Sequence, residues 1–199
     1  MNIKLSIIYY STTGTNTQLV KWAQEAAIAL NADVRVRQVK ELAPQKVIDS
    51  QPAWKANQEA TKDVFLATSD DIEWADAILF SVPARFGNVP SQFKQFIDTQ
   101  GGLWASGKTV NKVVSAMTSA QNPHGGQEAT LLNLYTSMYH WGALVVTPGY
   151  TDESVSLAGG NPYGTSVTID SKGTMIEDVQ PAVVHQVKRL LDVANRFNN

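Results

Sequence analysis

Apolar, β-branched runs recur along the chain at Ile3 to Tyr10, Val34 to Val39, Ala77 to Val82, Val113 to Met117 and Leu144 to Thr147. Short continuous runs of this kind belong to strands buried on both faces, and their alternation with helical patterns predicts parallel strands joined by crossovers. From Gln18 to Leu30, the residues Leu19, Ala23, Ala26, Ala27 and Leu30 share one helical face. From Pro90 to Asp98, Phe93, Phe96 and Ile97 do the same. The last segment is the clearest helix: Asp178 is the expected N-cap, Pro181 lies in the first turn, and Val183, Val184, Val187, Leu190, Leu191, Ala194 and Phe197 follow at helical spacing. The pattern predicts a three-layer α/β domain around a doubly wound, five-stranded parallel sheet. Ligands of such a sheet lie outside the carboxyl ends of its strands, so candidate chemistry belongs to the loops that follow them. No repeat or linker divides residues 1–199, and one domain is expected. Two connections, near 41–73 and 148–177, are too long for a minimal domain and are expected to be functional or to build an interface.

The 199 residues include no cysteine, which excludes disulfides, thiolate nucleophiles and cysteine metal sites, so any redox chemistry must come from a bound cofactor. Sixteen basic against 18 acidic side chains leave no basic footprint for nucleic acid. No apolar stretch reaches the eighteen or so residues that would span a bilayer, and no cleavable leader is visible, so a cytoplasmic protein is expected. His124, His140 and His185 are scattered without an acidic partner at ligand spacing, and no metal site is expected.

The first strand runs into Ser11-Thr12-Thr13-Gly14-Thr15-Asn16-Thr17 and then a helix. Hydroxyls and a glycine collect where the helix exposes its unpaired N–H groups, which makes an anion cradle. It lacks the lysine of a Walker loop and the three glycines of a dinucleotide fingerprint. With no Lys or Arg from Ser11 to Val20, a phosphomonoester of a bound cofactor fits better than a transferable phosphate. The competing reading is a polar turn that only caps the helix.

The [Ser/Thr]-x-[Ser/Thr]-Gly-x-[Thr/Asn] pattern resembles the FMN phosphate loop of the flavodoxin-like fold. Pro83-Ala84-Arg85-Phe86-Gly87-Asn88, Gly101-Gly102-Leu103-Trp104-Ala105-Ser106-Gly107, Gly125-Gly126-Gln127-Glu128 and Gly160-Asn161-Pro162-Tyr163-Gly164 follow in order. Together they resemble the WrbA family of NAD(P)H:quinone oxidoreductases over nearly the whole chain. The resemblance implies FMN as cofactor, NAD(P)H as co-substrate, a quinone as acceptor and a homotetramer. It implies that Ser11, Thr12, Thr13, Gly14, Thr15 and Asn16 hold the FMN phosphate. Ala84, Arg85 and Phe86 would border the isoalloxazine ring, with the loop containing Ser119, Ala120, Gln121, Asn122, His124 and Gly125. Trp104 would wall the pocket where substrate stacks, and His140 would reach the flavin site as the catalytic proton donor.

These residue types suit that chemistry. Phe86 and Trp104 supply aromatic walls for a flat ring, Arg85 a positive charge at the edge that becomes anionic on reduction, and His140 a hydrogen-bond donor at neutral pH. Each has a plainer alternative: packed loop aromatics, a surface ion pair, and a core histidine or helix cap. Three positions depart from the family pattern: Thr13 stands where a tyrosine packs against the dinucleotide, the 119–126 loop is one residue longer, and the aromatics flanking His140 differ. A flavodoxin-type electron carrier is the first alternative to an enzyme, although a net charge of −2 provides little docking field. A redox-responsive FMN-binding interaction protein is the second.

Overall fold

Every strand pairing is parallel, as continuous apolar runs require. The computed structural model describes residues 2–198, in the order β1 (Lys4–Tyr9), α1 (Thr15–Ala29), β2 (Asp33–Gln38), α2 (Gln45–Asp49), α3 (Pro52–Ala60), α4 (Ser69–Trp74), β3 (Ala77–Pro83), α5 (Ser91–Asp98), α6 (Gly101–Ala105), β4 (Val113–Ala120), α7 (Gln127–His140), β5 (Leu144–Val145), α8 (Glu153–Leu157), β6 (Ser166–Thr168) and α9 (Gln180–Asn198). Sheet order is β2-β1-β3-β4-β5, the doubly wound flavodoxin-like arrangement, with β6 as an additional short strand on β4. One apolar layer lies between the sheet and α1 with α9, built on Leu19, Ala23, Val183, Val187 and Leu190. The other lies under α5 and α7, built on Phe93, Phe96, Leu131, Leu134 and Met138.

Several sequence expectations shift at element ends. The first helix begins at Thr15, three residues early, because the Gly14 carbonyl already accepts from Gln18 N. Leu30 lies beyond that helix and is exposed, and Val184 and Phe197 of α9 also face outward. Asp178 lies two residues before Gln180, and its carboxylate accepts from the Gln180 N–H at 3.3 Å.

The position beside β4 is divided. Val113 and Val114 pair with β5, whereas Thr118 to Ala120 pair with β6 from the 148–177 connection. Ala116, in the gap, is completed by side chains from both layers: its N–H donates to Tyr135 Oη of α7, and its carbonyl accepts from Gln186 Nε2 of α9. Gly164 passes so close that a Cβ there would fall 2.1 Å from the Ala116 carbonyl oxygen. The 41–73 connection forms α2, α3 and α4 and docks on edge strand β2, where buried Asp71 accepts from Arg37 Nε at 2.8 Å. Arg35 stacks over Trp74 at 4.0 Å.

Candidate active site

Carboxyl ends of a parallel sheet converge at one pole, and three loops meet there. Ser11 to Gly14 turn sharply after β1: Gly14 has φ 100, and its N–H donates to Ser11 Oγ at 3.2 Å. Among the described residues no side chain caps the N-terminus of α1, so the first amides of the helix remain available to an anion. Thr13 is exposed at the tip, and Thr12, Gly14 and Thr15 are half-buried. The nearest guanidinium comes from the next loop, where Arg85 Nη2 donates to Thr12 Oγ1 at 3.2 Å.

Asn16 departs from expectation. Its side chain is buried and turned inward, with Nδ2 donating to Ser81 Oγ at 3.0 Å and Oδ1 accepting from Ser119 Oγ at 2.6 Å. Neither the Asn16 amide nor the Ser119 hydroxyl therefore faces the cradle; together they tie the start of α1 to the ends of β3 and β4. What Asn16 offers to a ligand is its backbone N–H at the start of α1.

The loop after β3 is a tight turn in which the Arg85 and Asn88 backbones exchange hydrogen bonds. Phe86 at its apex has φ 53 and is fully exposed. A bulky side chain at positive φ costs roughly 1–2 kcal/mol, and such strain clusters at functional sites. Ala84, by contrast, is buried, its N–H donating to the Ser119 carbonyl at 2.8 Å. Ala120, the last residue of β4, is buried, while Gln121, Asn122 and His124 beyond it are exposed. The Asn122 carbonyl closes that loop by accepting from Gly125 N and Gln127 Nε2. A Cβ on Gly126 would fall 2.6 Å from Gly87 Cα, so the two loops touch backbone to backbone. A cleft of about 530 Å³ opens on the far side of this loop, toward Asn161 and Glu177.

Beside the cradle lies a polar cluster that the sequence pattern does not announce. Tyr10 Oη donates to Glu41 Oε2 at 2.8 Å, and Gln92 Nε2 donates to both. Burial works to raise the Glu41 carboxyl, but hydrogen bonds from Ala43 N, Gln92, Tyr10 and Leu42 N prevail and hold it below the ordinary carboxylate range. Burial, then the Glu41 hydrogen bond and charge, push the Tyr10 phenol far up against a smaller opposing pull from Arg85.

Trp104 and His140 meet each other elsewhere. Trp104 Nε1 donates to the His140 carbonyl at 2.9 Å. The 14 residues of α7 carry His140 about 20 Å from the Gln127 end, to the amino pole of the sheet. There Asn111 N donates to the Gly142 carbonyl and Leu144 N to the Lys112 carbonyl. Both side chains are exposed. Within one chain they are remote from the Ser11–Asn16 cradle.

A uncharged, hydroxyl-lined cradle at a helix N-terminus, flanked by an exposed aromatic and a guanidinium, fits the phosphate and ring of FMN. Known proteins agree with that chemistry. The family model described as NADPH-dependent FMN reductase matches residues 3–153. A Deinococcus radiodurans protein named NAD(P)H dehydrogenase (quinone) is 54% identical over 98% of this chain and 97% of its own. One of the same name from Syntrophus aciditrophicus is 37% identical over 85% of each. Among solved structures, the WrbA-like flavodoxin of Agrobacterium tumefaciens superposes with a TM-score of 0.65 at 20% identity, covering 98% of this chain and 99% of that one, which supports the fold. The motif resemblance, the matching family model and the near-full-length relatives converge, and the chain belongs to the NADPH-dependent FMN reductase family.

Proposed function

We propose that this protein is an FMN-dependent NAD(P)H:quinone oxidoreductase acting as a cytoplasmic homotetramer. The observation that carries this reading is the open N-terminus of α1 behind Ser11 to Gly14, with Arg85 and Phe86 beside it, in a chain 54% identical to a named NAD(P)H dehydrogenase (quinone). When bound, FMN would supply two-electron chemistry between a nicotinamide donor and a quinone.

The chain supplies binding and exclusion of water. The hydroxyls of Ser11, Thr12 and Thr13 and the amides of Thr15 and Asn16 would hold the phosphate, with the Gly14 N–H fixing the Ser11 hydroxyl. Arg85 would bring its charge to the cradle beside Thr12, and Phe86 with the 119–125 loop would border the ring. Trp104 and His140 act on the site of another copy, since their own lies at the opposite pole. In that position Trp104 would supply an aromatic wall for the pocket, and the His140 imidazole would supply a hydrogen-bond or proton donor. An intracellular dinucleotide pool as reductant supports the cytoplasmic assignment.

One pocket used in turn by donor and acceptor gives ping-pong kinetics. With FMN-loaded protein, plots of reciprocal rate against reciprocal NADH or NADPH concentration at several benzoquinone concentrations are expected to be parallel. Intersecting lines, or absence of turnover in flavin-loaded protein, would overturn the reading.

A further inference from the structure

Asn57 lies on α3, within the 41–73 connection and forty-six residues from the turn it touches. Of the side chains on that helix it is the buried one. Its Nδ2 donates to the Ser11 carbonyl at 3.0 Å, and its Oδ1 accepts from Thr17 Oγ1 at 2.9 Å. Between those two anchors lies Gly14, where a Cβ would fall 3.5 Å from Asn57 Oδ1. One amide thus clasps both ends of the anion cradle from behind and leaves its open side free. The helix is itself held: Thr61 Oγ1 donates to the Asn57 carbonyl, Gln58 and Gln45 pair through their side-chain amides, and Lys55 bridges to Asp49 on α2.

We propose that Asn57 is a positioning residue for FMN, through which the 41–73 connection shapes the Ser11–Thr17 turn for a phosphomonoester before it binds. The inference rests on the FMN reading above and extends it to a segment outside the three loops. A turn of seven residues retains considerable freedom unless something fixes it, and fixing it beforehand removes that cost from ligand binding. Because Asn57 touches the turn and not the ring pocket, its effect is specific to the phosphate. By linkage, FMN binding also stabilises the α3 contact.

The test compares FMN with riboflavin, which lacks the phosphate, on the full-length apoprotein by quenching of flavin fluorescence. In Asn57→Ala the FMN dissociation constant is expected to rise about tenfold while that of riboflavin stays within about twofold of wild type. Thr17→Val, which removes only one of the two anchors, is expected to move FMN in the same direction by a smaller factor. Amide exchange in residues 52–60 slows on adding FMN to wild type and not on adding riboflavin. Equal weakening of both flavins would mean a general structural role and overturn the proposal, as would an unchanged FMN constant in Asn57→Ala. If wild type binds no flavin, the FMN reading itself falls and the proposal with it. Wild type that binds FMN beside an unaffected Asn57→Ala overturns the proposal alone.

Discussion

Asn16 stands at the start of α1 with a serine hydroxyl at each end of its amide, and no solvent reaches either bond. Replacing it with alanine leaves Ser81 and Ser119 without that partner, a loss of about 1–3 kcal/mol and a fall in melting midpoint of roughly 2–10 °C for a chain of this size. A thermal shift within about a degree of wild type would show that the tie is dispensable. Glu41 makes a pH-dependent contribution. Its folded pKa is depressed, so the stabilisation is present above the unfolded carboxyl value of about 4.3 and is lost as pH falls through the lower folded value. The stability difference between wild type and Glu41→Gln should therefore shrink on acidification below about pH 4; a difference constant from neutral to acid pH would contradict it. At the tip of the cradle, Thr13→Tyr is expected to lower the KM for the dinucleotide several-fold. An unchanged KM would move attention to the loop around His124. At this scale the sequence was informative where chemistry is local: the hydroxyls and Gly14 advertise a cradle because they are adjacent. The inward turn of Asn16 was hidden, because an asparagine beside helix N–H groups reads as a ligand or cap until Ser81 and Ser119 are seen against it. Tyr10, Glu41 and Gln92 were hidden for the same reason: their bonds span 31 to 82 positions.

At the scale of elements, strands and long helices were legible from periodicity, because burial on both faces writes itself into continuous apolar runs. The divided strand position beside β4 was not. Ser166 to Thr168 is too short to show an alternation, and nothing in the order of residues says that β5 stops after Val145 and leaves Ala116 to side chains. Tyr135→Phe tests that junction: the Ala116 N–H loses its acceptor and the Tyr163 carbonyl its donor, a cost of about 1–3 kcal/mol in denaturant unfolding. A variant as stable as wild type would mean that the gap is completed some other way. The ends of helices escaped for a related reason. Leu30 and Phe197 continue the apolar spacing past the surface they were expected to cover, because periodicity does not record where the neighbouring element stops, whereas Val184 lies within α9 beside buried Val183 and faces outward.

Across the whole molecule, the arrangement divides the predicted machinery between two poles. The cradle, Arg85 and Phe86 crown the carboxyl ends of the strands, whereas Trp104 and His140 sit at the amino ends, joined by one hydrogen bond. If these act on one flavin, they do so from different copies. Specific activity should then fall on dilution to a verified monomer while FMN remains bound, since Ser11 to Asn16, Arg85 and Phe86 meet within one chain. Full activity in a monomer would remove Trp104 and His140 from the site. Among the described residues no helix is long and apolar enough to cross a membrane.

The proposed activity is electron transfer from a nicotinamide dinucleotide to a quinone, with FMN held at the Ser11–Asn16 turn. The most direct measurement is an anaerobic absorbance titration of FMN-loaded protein, first with NADH or NADPH and then with benzoquinone. The flavin band is expected to bleach with about one equivalent of dinucleotide and to return with about one equivalent of quinone, each a two-electron step. A bound flavin band that neither dinucleotide bleaches, or protein that binds no flavin, would contradict it.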